Sequence, residues 1–542
     1  MSLLRSSALM ASGTAVSRVT GILRDVAMTA ALGFFITSDA YSLGNTLPNI
    51  IAILVAGGAL NAVFIPQLVR HIKDDVDGGS AYADRLLTVV TIWLVIVTAI
   101  AVLFAPQLVS IYASSDYTPA HAALATAFAR WCLPQIVFYG LFTMWSQVLN
   151  ARGHFAMPMF TPILNNVVSI VTFVVFIGMT THAQVVNAEL TSAQIAVLGA
   201  GTTLGVVVQA MALIPVLYRS GYRWRPRFDI RDNGLGKAGS LAVWTLALVI
   251  VNQLAYVVVT RLATSANVQA VAAGATAAGL TTYQKAHLVF MLPHSIITVS
   301  LVTALLPSLS RIAHAGDLPG VGRSVARAVR TVGAIIIPVS GIFMVLAPEM
   351  TRLMFGFGAA TTDSAIETGH VVQVFAFGML PFTLVYLLFR GWYSFEDTRS
   401  PFWITVLVNI VNLGISIPLF MLVPVRQKVA ALAVAYVISY WVALFIAWPR
   451  LRRELQDLQT FISVRTLVRA SFATAIAVGI GYALTTAAAS MFAHAGRLML
   501  LLLTTIVATV IGALYVMLAH RMHIEEVRWA VDTLKQRLGR SA

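Results

Sequence analysis

Apolar runs of about 20 residues, the length that carries an α-helix across a bilayer, recur from one end of this chain to the other. Inside hydrocarbon no water is available to the backbone, so such runs must satisfy their own N–H and C=O groups by forming helices. Turn signals and charge clusters divide the chain into fourteen candidate spans. They are 8–33, 40–69, 87–112, 122–150, 158–181, 192–218, 238–263, 270–310, 324–347, 369–395, 401–423, 429–449, 467–492 and 498–520. Pro48 and Pro293 fall inside two of the longer ones and predict kinked or broken helices there. Composition agrees, with 11% charged residues where soluble chains carry about 25%. The expected fold is an all-α integral membrane protein of 14 transmembrane helices.

A net charge of +15 could point to nucleic acid, but its distribution argues against that partner. With the N-terminus in the cytoplasm, 26 of the 36 Lys and Arg residues fall in alternate inner segments. Arg219, Arg223, Arg225 and Arg227 cluster in one of these, and Arg450, Arg452, Arg453 and Arg465 in another. Only Arg352, Arg426, Lys428 and Arg497 fall in outer segments. That bias is the positive-inside pattern and predicts that both termini are cytoplasmic. The opening residues, with Arg5 before an apolar stretch, read as the start of the first span rather than as a signal peptide. Loops of at most about two dozen residues leave no room for a soluble catalytic domain. A single cysteine, Cys132, excludes disulfides and cysteine metal sites, and no metal or cofactor is expected. Ile524, Val527, Val531, Leu534 and Leu538 share one face of a C-terminal amphipathic helix, read as interfacial or else protein-docking.

The chain also repeats itself. Tyr41, Pro66 and Arg70 match Tyr283, Pro307 and Arg311, while Pro134, Pro158 and Asn166 match Pro381, Pro401 and Asn409, at offsets of 241–247 residues. Such an offset covers six spans, an even number, so the halves share one orientation across the membrane. Two parallel six-helix lobes around a central cavity are expected, the architecture of alternating access. The N-terminal lobe is 1–232 and the C-terminal lobe 233–455. Two extra helices and the cytoplasmic tail occupy 456–542.

Within the first span, "SRVTGILRDVAMTAALGF" places Arg18, Arg24 and Asp25 in an otherwise lipid-compatible helix. An arginine at mid-bilayer costs roughly 2.5–3.5 kcal/mol on insertion scales, and one favourable apolar residue returns about 0.3–0.6. The charges must therefore face protein or water. Arg18 and Asp25 lie seven residues apart on nearly one face, as do Ser17 and Arg24, so a structural Arg18–Asp25 pair competes with a binding site. Asp39 either partners an arginine or sits in the outer loop. Asn49 either lines a site or satisfies carbonyls freed by Pro48. Lys285 either lines the cavity or snorkels. His294 reads as a hydrogen-bonded core residue, and Asn165, Asn166, Asn409 and Asn412 as interhelical bonders.

Arginines with few carboxylates suit an anion, and the planar guanidinium suits phosphate in particular. An exporter of cationic drugs would need deep acidic residues. A membrane phosphatase or glycosyltransferase would need clustered His, Asp or Glu. Outside the first, second and tenth spans acidic residues are almost absent from the helices, and no catalytic His, Asp or Glu cluster is present, so no catalytic residues are assigned.

Ser17-Arg-x-x-Gly-x-x-Arg24-Asp25, Ser38-Asp39-Ala40, Leu47-Pro48-Asn49, Gly58-Ala59-Leu60 with Phe64-x-Pro66, and Leu306-Pro-Ser-Leu-Ser310 resemble the MurJ (MviN) lipid II flippases. That family belongs to the multidrug/oligosaccharidyl-lipid/polysaccharide exporter superfamily. The resemblance implies a bacterial cytoplasmic-membrane protein that moves lipid II, the undecaprenyl-pyrophosphate-linked peptidoglycan precursor, to the outer leaflet. It implies Arg18 and Arg24 at the pyrophosphate, with Ser17, Asp25, Asp39, Asn49 and Lys285 as further substrate-binding residues. Lipid II, membrane lipids and other cell-wall synthesis proteins are the partners it implies. The last two spans would form a groove for the polyprenyl tail. A flippase for another polyprenyl-pyrophosphate glycan, or a non-transporting cell-wall scaffold, are the alternative functions. After Pro48-Asn49, where family members carry arginines and a glutamate, this chain has Ala52, Ile53 and Gly57. The seventh span lacks the carboxylate with which some relatives bind sodium.

Overall fold

A computed structural model describes residues 3–57, 79–228 and 239–539. Among them every regular element is a helix. Twelve helices are long and apolar enough to cross a membrane. Two further helices, Leu3–Leu32 and Ile36–Ala52, make the set consistent with the fourteen expected spans. The protein is an all-α, multi-pass membrane protein. The second half of the 40–69 span, with Gly58, Phe64, Pro66 and Arg70, lies outside the described residues. So do Arg231, Lys237 and Arg540, and of Arg5, Leu534, Arg537 and Leu538 only the backbone is described.

The chain falls into two compact units, Met1–Thr281 with Phe357–Thr361, and Thr282–Gly356 with Thr362–Ala542. The first unit contains α1 (Leu3–Leu32), α2 (Ile36–Ala52), α3 (Ser80–Leu103) and α4 (Ala105–Tyr112). After these come α5 (Pro119–Cys132), α6 (Gln135–Ala151), α7 (Ala156–Met179), α8 (Ser192–Met211), α9 (Ile214–Arg219) and α10 (Gly239–Ala272). Local chemistry sets several of these ends. Thr118 caps α5 by accepting the His121 N–H at 3.2 Å, with Pro119 following as the first helical residue. Thr191 and Gln194 form a reciprocal capping box at α8. Pro106 cannot donate to the ladder, and the expected 87–112 span is accordingly broken at Phe104 into α3 and α4.

Small residues let these helices approach. A Cβ on Gly44 of α2 would lie 2.8 Å from the Ala129 nitrogen of α5, so only glycine permits that crossing. Beside it Tyr41 sits edge-on to Phe128 and Phe173, with ring centroids 5.5 and 5.9 Å away.

The second unit contains nearly all of α11 (Leu280–Pro293), whose first two residues belong to the first. It continues with α12 (Val299–His314), α13 (Leu318–Phe355), α14 (Thr362–Ser394), α15 (Arg399–Leu422) and α16 (Lys428–Leu455). It ends with α17 (Thr460–Ala487), α18 (Arg497–Arg521) and the tail helix α19 (Glu525–Gly539). Leu346 of α13, Ala470, Ala473 and Ala477 of α17, and Ile511 and Ala519 of α18 share one buried apolar cluster. Rings from α11, α14 and α16 form another packed layer, including Tyr283, His287, Phe290, Phe375 and Tyr436.

Several boundaries differ from expectation, among them those of the seventh, eighth and ninth spans. The seventh span continues to Ala272 rather than 263, and the eighth begins at Leu280 rather than 270. The chain turns instead at Gly274, with φ +61°. The ninth span, expected over 324–347, runs from Leu318 to Phe355, with Asp317 accepting the Gly320 N–H at 2.8 Å. Arg352 therefore lies in the last helical turn, where its guanidinium donates to the carbonyls of Phe492 and Ala495 at 2.8 and 3.3 Å.

The repeat has a structural counterpart. A π-helical turn, Ile53–Gly57, follows α2, and another, His294–Thr298, follows α11. They lie 241 residues apart, within the spacing of the sequence matches.

Candidate functional site

On α1 the Arg24 Nη2 lies 3.1 Å from Asp25 Oδ2, while its Nη1 donates to Asn166 Oδ1 of α7 at 3.3 Å. The Asn166 amide group in turn donates to the Ser17 carbonyl at 3.1 Å and the Thr20 hydroxyl at 3.0 Å. One carboxamide thus binds the backbone of α1 two turns before Arg24 and the guanidinium itself. The Arg24 side chain stays 38% exposed and Asp25 15% exposed. The result is a cation held at two points with part of its planar donor fork open.

Arg18 differs. It is exposed and makes no hydrogen bond or ion pair among the described residues. Six helical residues turn it about 120° from Arg24 and raise it about 9 Å along the axis. The Arg18–Asp25 pair therefore does not form. Asp25 takes its neighbour Arg24 instead, because a flexible arginine can bend back to a residue that helix spacing places beside it.

Asp39 pairs with neither arginine and lies in no loop. It is fully buried in the first turn of α2. Its carboxylate accepts Asn267 Nδ2 of α10 at 2.8 Å and the backbone N–H groups of Leu280 and Thr281 at 3.0 and 2.7 Å. Those are the first two residues of α11, whose N–H groups have no intrahelical acceptor, so Asp39 supplies one. Ser38 and Ser42 lie 2.9 and 3.3 Å from the Thr281 hydroxyl. The Ser38-Asp39-Ala40 motif thus ties α2 to α10 and to the beginning of α11.

The Asn49 side chain is exposed, while its carbonyl accepts the Ile53 N–H where the helix widens into its π turn. Ser17 contributes its carbonyl to the Asn166 bond. Lys285, in the second unit, is 4% exposed and so does not snorkel to the surface. His294 is a buried, bonded core residue, with Nδ1 3.1 Å from the Thr383 hydroxyl. Asn166 was legible as an interhelical bonder but not as the residue that positions Arg24. Its place in the internal repeat was the available signal.

The second unit also holds a cavity of about 1040 Å³, walled by α12, α13, α18 and α19. Leu301, Ile335, Pro338, Ile342 and Val516 give it an apolar lining, and Arg327 stands among the lining residues. Ile524 is buried at the base of α19, and Glu526 pairs with Arg330 Nε at 2.9 Å while Arg330 Nη1 donates to Gln459 at 2.8 Å. The described part of the amphipathic tail therefore docks on its own chain.

Comparison with known proteins agrees with this architecture. The family model described as "Lipid II flippase MurJ" matches residues 28–524. A relative from Buchnera aphidicola subsp. Baizongia pistaciae, "Probable lipid II flippase MurJ", is 26% identical over 458 residues, 83% of this chain and 84% of its own. Among solved structures, "Lipid II flippase MurJ, inward closed conformation" superposes with a TM-score of 0.70 at 16% identity, covering 93% of this chain and 98% of that one. An inward-facing multidrug resistance MATE family transporter of the MOP superfamily gives 0.61 at 16% identity, over 82% and 96%. The two structural likenesses carry the fold, and the match across residues 28–524 carries the family: this chain belongs to the lipid II flippase MurJ family.

Proposed function

We propose that this protein flips lipid II from the inner to the outer leaflet of the bacterial cytoplasmic membrane by alternating access. The family match over nearly the whole chain carries this reading. Arg24 is the residue best placed to meet the pyrophosphate, because Asp25 and Asn166 hold it while part of its fork stays open. Arg18 is the second phosphate ligand, its exposed guanidinium reaching the same substrate from a different side of α1. Ser17 and Asp25 shape the Arg24 site, Asn49 and Lys285 contact other parts of the substrate, and Asp39 acts by positioning helices. The lobes are 1–232 and 233–455, with the remainder, 456–542, appended. The 1040 Å³ apolar cavity suits a polyprenyl tail, being at the upper end of the range for ligand pockets, about 300–1,000 Å³. The protein acts as a transporter rather than a catalyst, with both termini in the cytoplasm and with cell-wall synthesis proteins as neighbours.

Depleting the protein and measuring the leaflet accessibility of labelled lipid II tests this. Externalised lipid II should fall as the protein is lost. An unchanged level would reject lipid II flipping and favour another polyprenyl-pyrophosphate glycan or a scaffold role.

A further inference from the structure

The segment after α9 is fastened to the start of α3 by one buried carboxylate. Asp84, 3% exposed, accepts the Tyr222 hydroxyl at 2.7 Å and the Arg225 N–H at 3.2 Å. One turn on, Thr88 accepts the Arg227 N–H at 3.0 Å and the Trp224 indole N–H at 3.4 Å. Arg152 braces the other side, donating to the Ser220 carbonyl and the Ser80 hydroxyl at 3.3 and 3.0 Å, with its guanidinium 5.2 Å from the Tyr222 ring centroid. Burial, followed by the bond to Asp84, pushes the Tyr222 phenol well above its ordinary range, so it remains a donor.

This anchoring produces an alternation. Tyr222 and Trp224 turn inward, while Arg223, Arg225 and Arg227 are exposed. Arg223, Arg225 and Arg227, at every second position and all exposed, put three guanidiniums on the outer side of the segment. Arg223 and Arg225 make no side-chain ion pair among the described residues, and Arg227 Nε lies 4.0 Å from Asp84. Arg219, also exposed, adds a fourth charge. The row directly follows the span Ser192–Arg219, and Tyr218 and Phe228, 58% and 74% exposed, flank it. Aromatic side chains in that position sit at headgroup level.

We infer that residues 218–228 form a built surface for the phosphate headgroups of anionic lipids at the membrane rim. A basic row beside a spanning helix, flanked by exposed aromatic rings, favours a lipid surface over a soluble acidic protein. The inference is independent of the transported substrate.

The test is native mass spectrometry of the full-length protein titrated with phosphatidylglycerol and, separately, with phosphatidylcholine. Wild type should retain phosphatidylglycerol preferentially. Arg223→Gln/Arg225→Gln/Arg227→Gln should weaken that binding on the order of a hundredfold, because each basic residue near an anionic surface contributes severalfold. Arg452→Gln/Arg453→Gln/Arg465→Gln removes the same charge elsewhere and should bind as wild type. Asp84→Ala keeps every arginine but releases the segment, and should also lose affinity; unchanged melting of the arginine variants shows that they remain folded. Equal binding by the two triple variants, full binding by Asp84→Ala, or no preference over phosphatidylcholine would each overturn the inference. Displacement of the lipid by glycerol phosphate or by an acidic peptide at lower concentration would assign the row to that ligand and reject the lipid.

Discussion

Asn166 holds Arg24: its side-chain oxygen accepts the guanidinium at 3.3 Å while its nitrogen grips the Ser17 carbonyl of the same helix. Removing it should leave α1 in place but let the cation swing. Asn166→Ala is expected to cut transport severalfold, in line with about 1 kcal/mol for an interhelical hydrogen bond. Membrane abundance should change little. Lost abundance in proportion to lost transport would mean that Asn166 serves packing alone.

Arg24 and Arg18 should respond differently to lysine. Arg24→Lys keeps the charge but removes the planar fork, and should lose most transport at normal abundance. Arg18→Lys should retain much of it, because Arg18 makes no fixed contact that a point charge would lose. If the Arg24–Asp25 pair were merely structural, Arg24→Ala would lower abundance and Arg24→Ala/Asp25→Ala would restore both abundance and transport. Leaflet assays run beside immunoblots decide between these outcomes.

Asp39 should behave as a structural tie. Asp39→Ala strands the buried Leu280 and Thr281 N–H groups and leaves the Asn267 amide only its bond to the Phe34 carbonyl. Each lost partner costs about 1–3 kcal/mol. Thermal midpoint and membrane yield should both drop, and a variant with normal stability but no transport would place Asp39 at the substrate instead.

The Arg330–Glu526 pair is only 11% and 13% exposed, so truncating one partner leaves a buried charge. Glu526→Ala should cost about 3–5 kcal/mol locally. Limited proteolysis should then cut within α19 far faster than in wild type, and Arg330→Ala/Glu526→Ala should be cut more slowly than either single variant.

Topology is testable without reference to substrate. Reporter fusions after Arg227 and after Arg453 should read as cytoplasmic, and fusions within 113–121 and 182–191 as external. One inverted loop would break the span count and the repeat together.

Much of this architecture was legible because hydrophobic length and prolines speak locally. Where breaks or kinks were expected at Pro48 and Pro293, the helices continue into π turns shortly after each proline, and Phe104 before Pro106 adds an unexpected interruption. The α10–α11 boundary was misplaced because 268–279 is rich in Ala and Gly, residues that continue a helix or end it without other punctuation. Seven-residue spacing allowed an Arg18–Asp25 pair as one of two readings, yet Asp25 pairs with the adjacent Arg24. Asp39 was unreadable for another reason. Its partners lie 228 and more residues away, and no local pattern encodes a contact of that span.

The two π turns have a consequence for motion. Within His294–Thr298 the Val299 N–H reaches back five residues to His294, one more than an ordinary helical turn takes up. Each such turn stores a single surplus residue. Passing that surplus along the rod turns the residues it crosses by about 100° and leaves both ends of the rod facing as before. Ile53–Gly57 and His294–Thr298 therefore give each repeat its own ratchet tooth, and a rod that must present different faces in turn needs only to move that tooth.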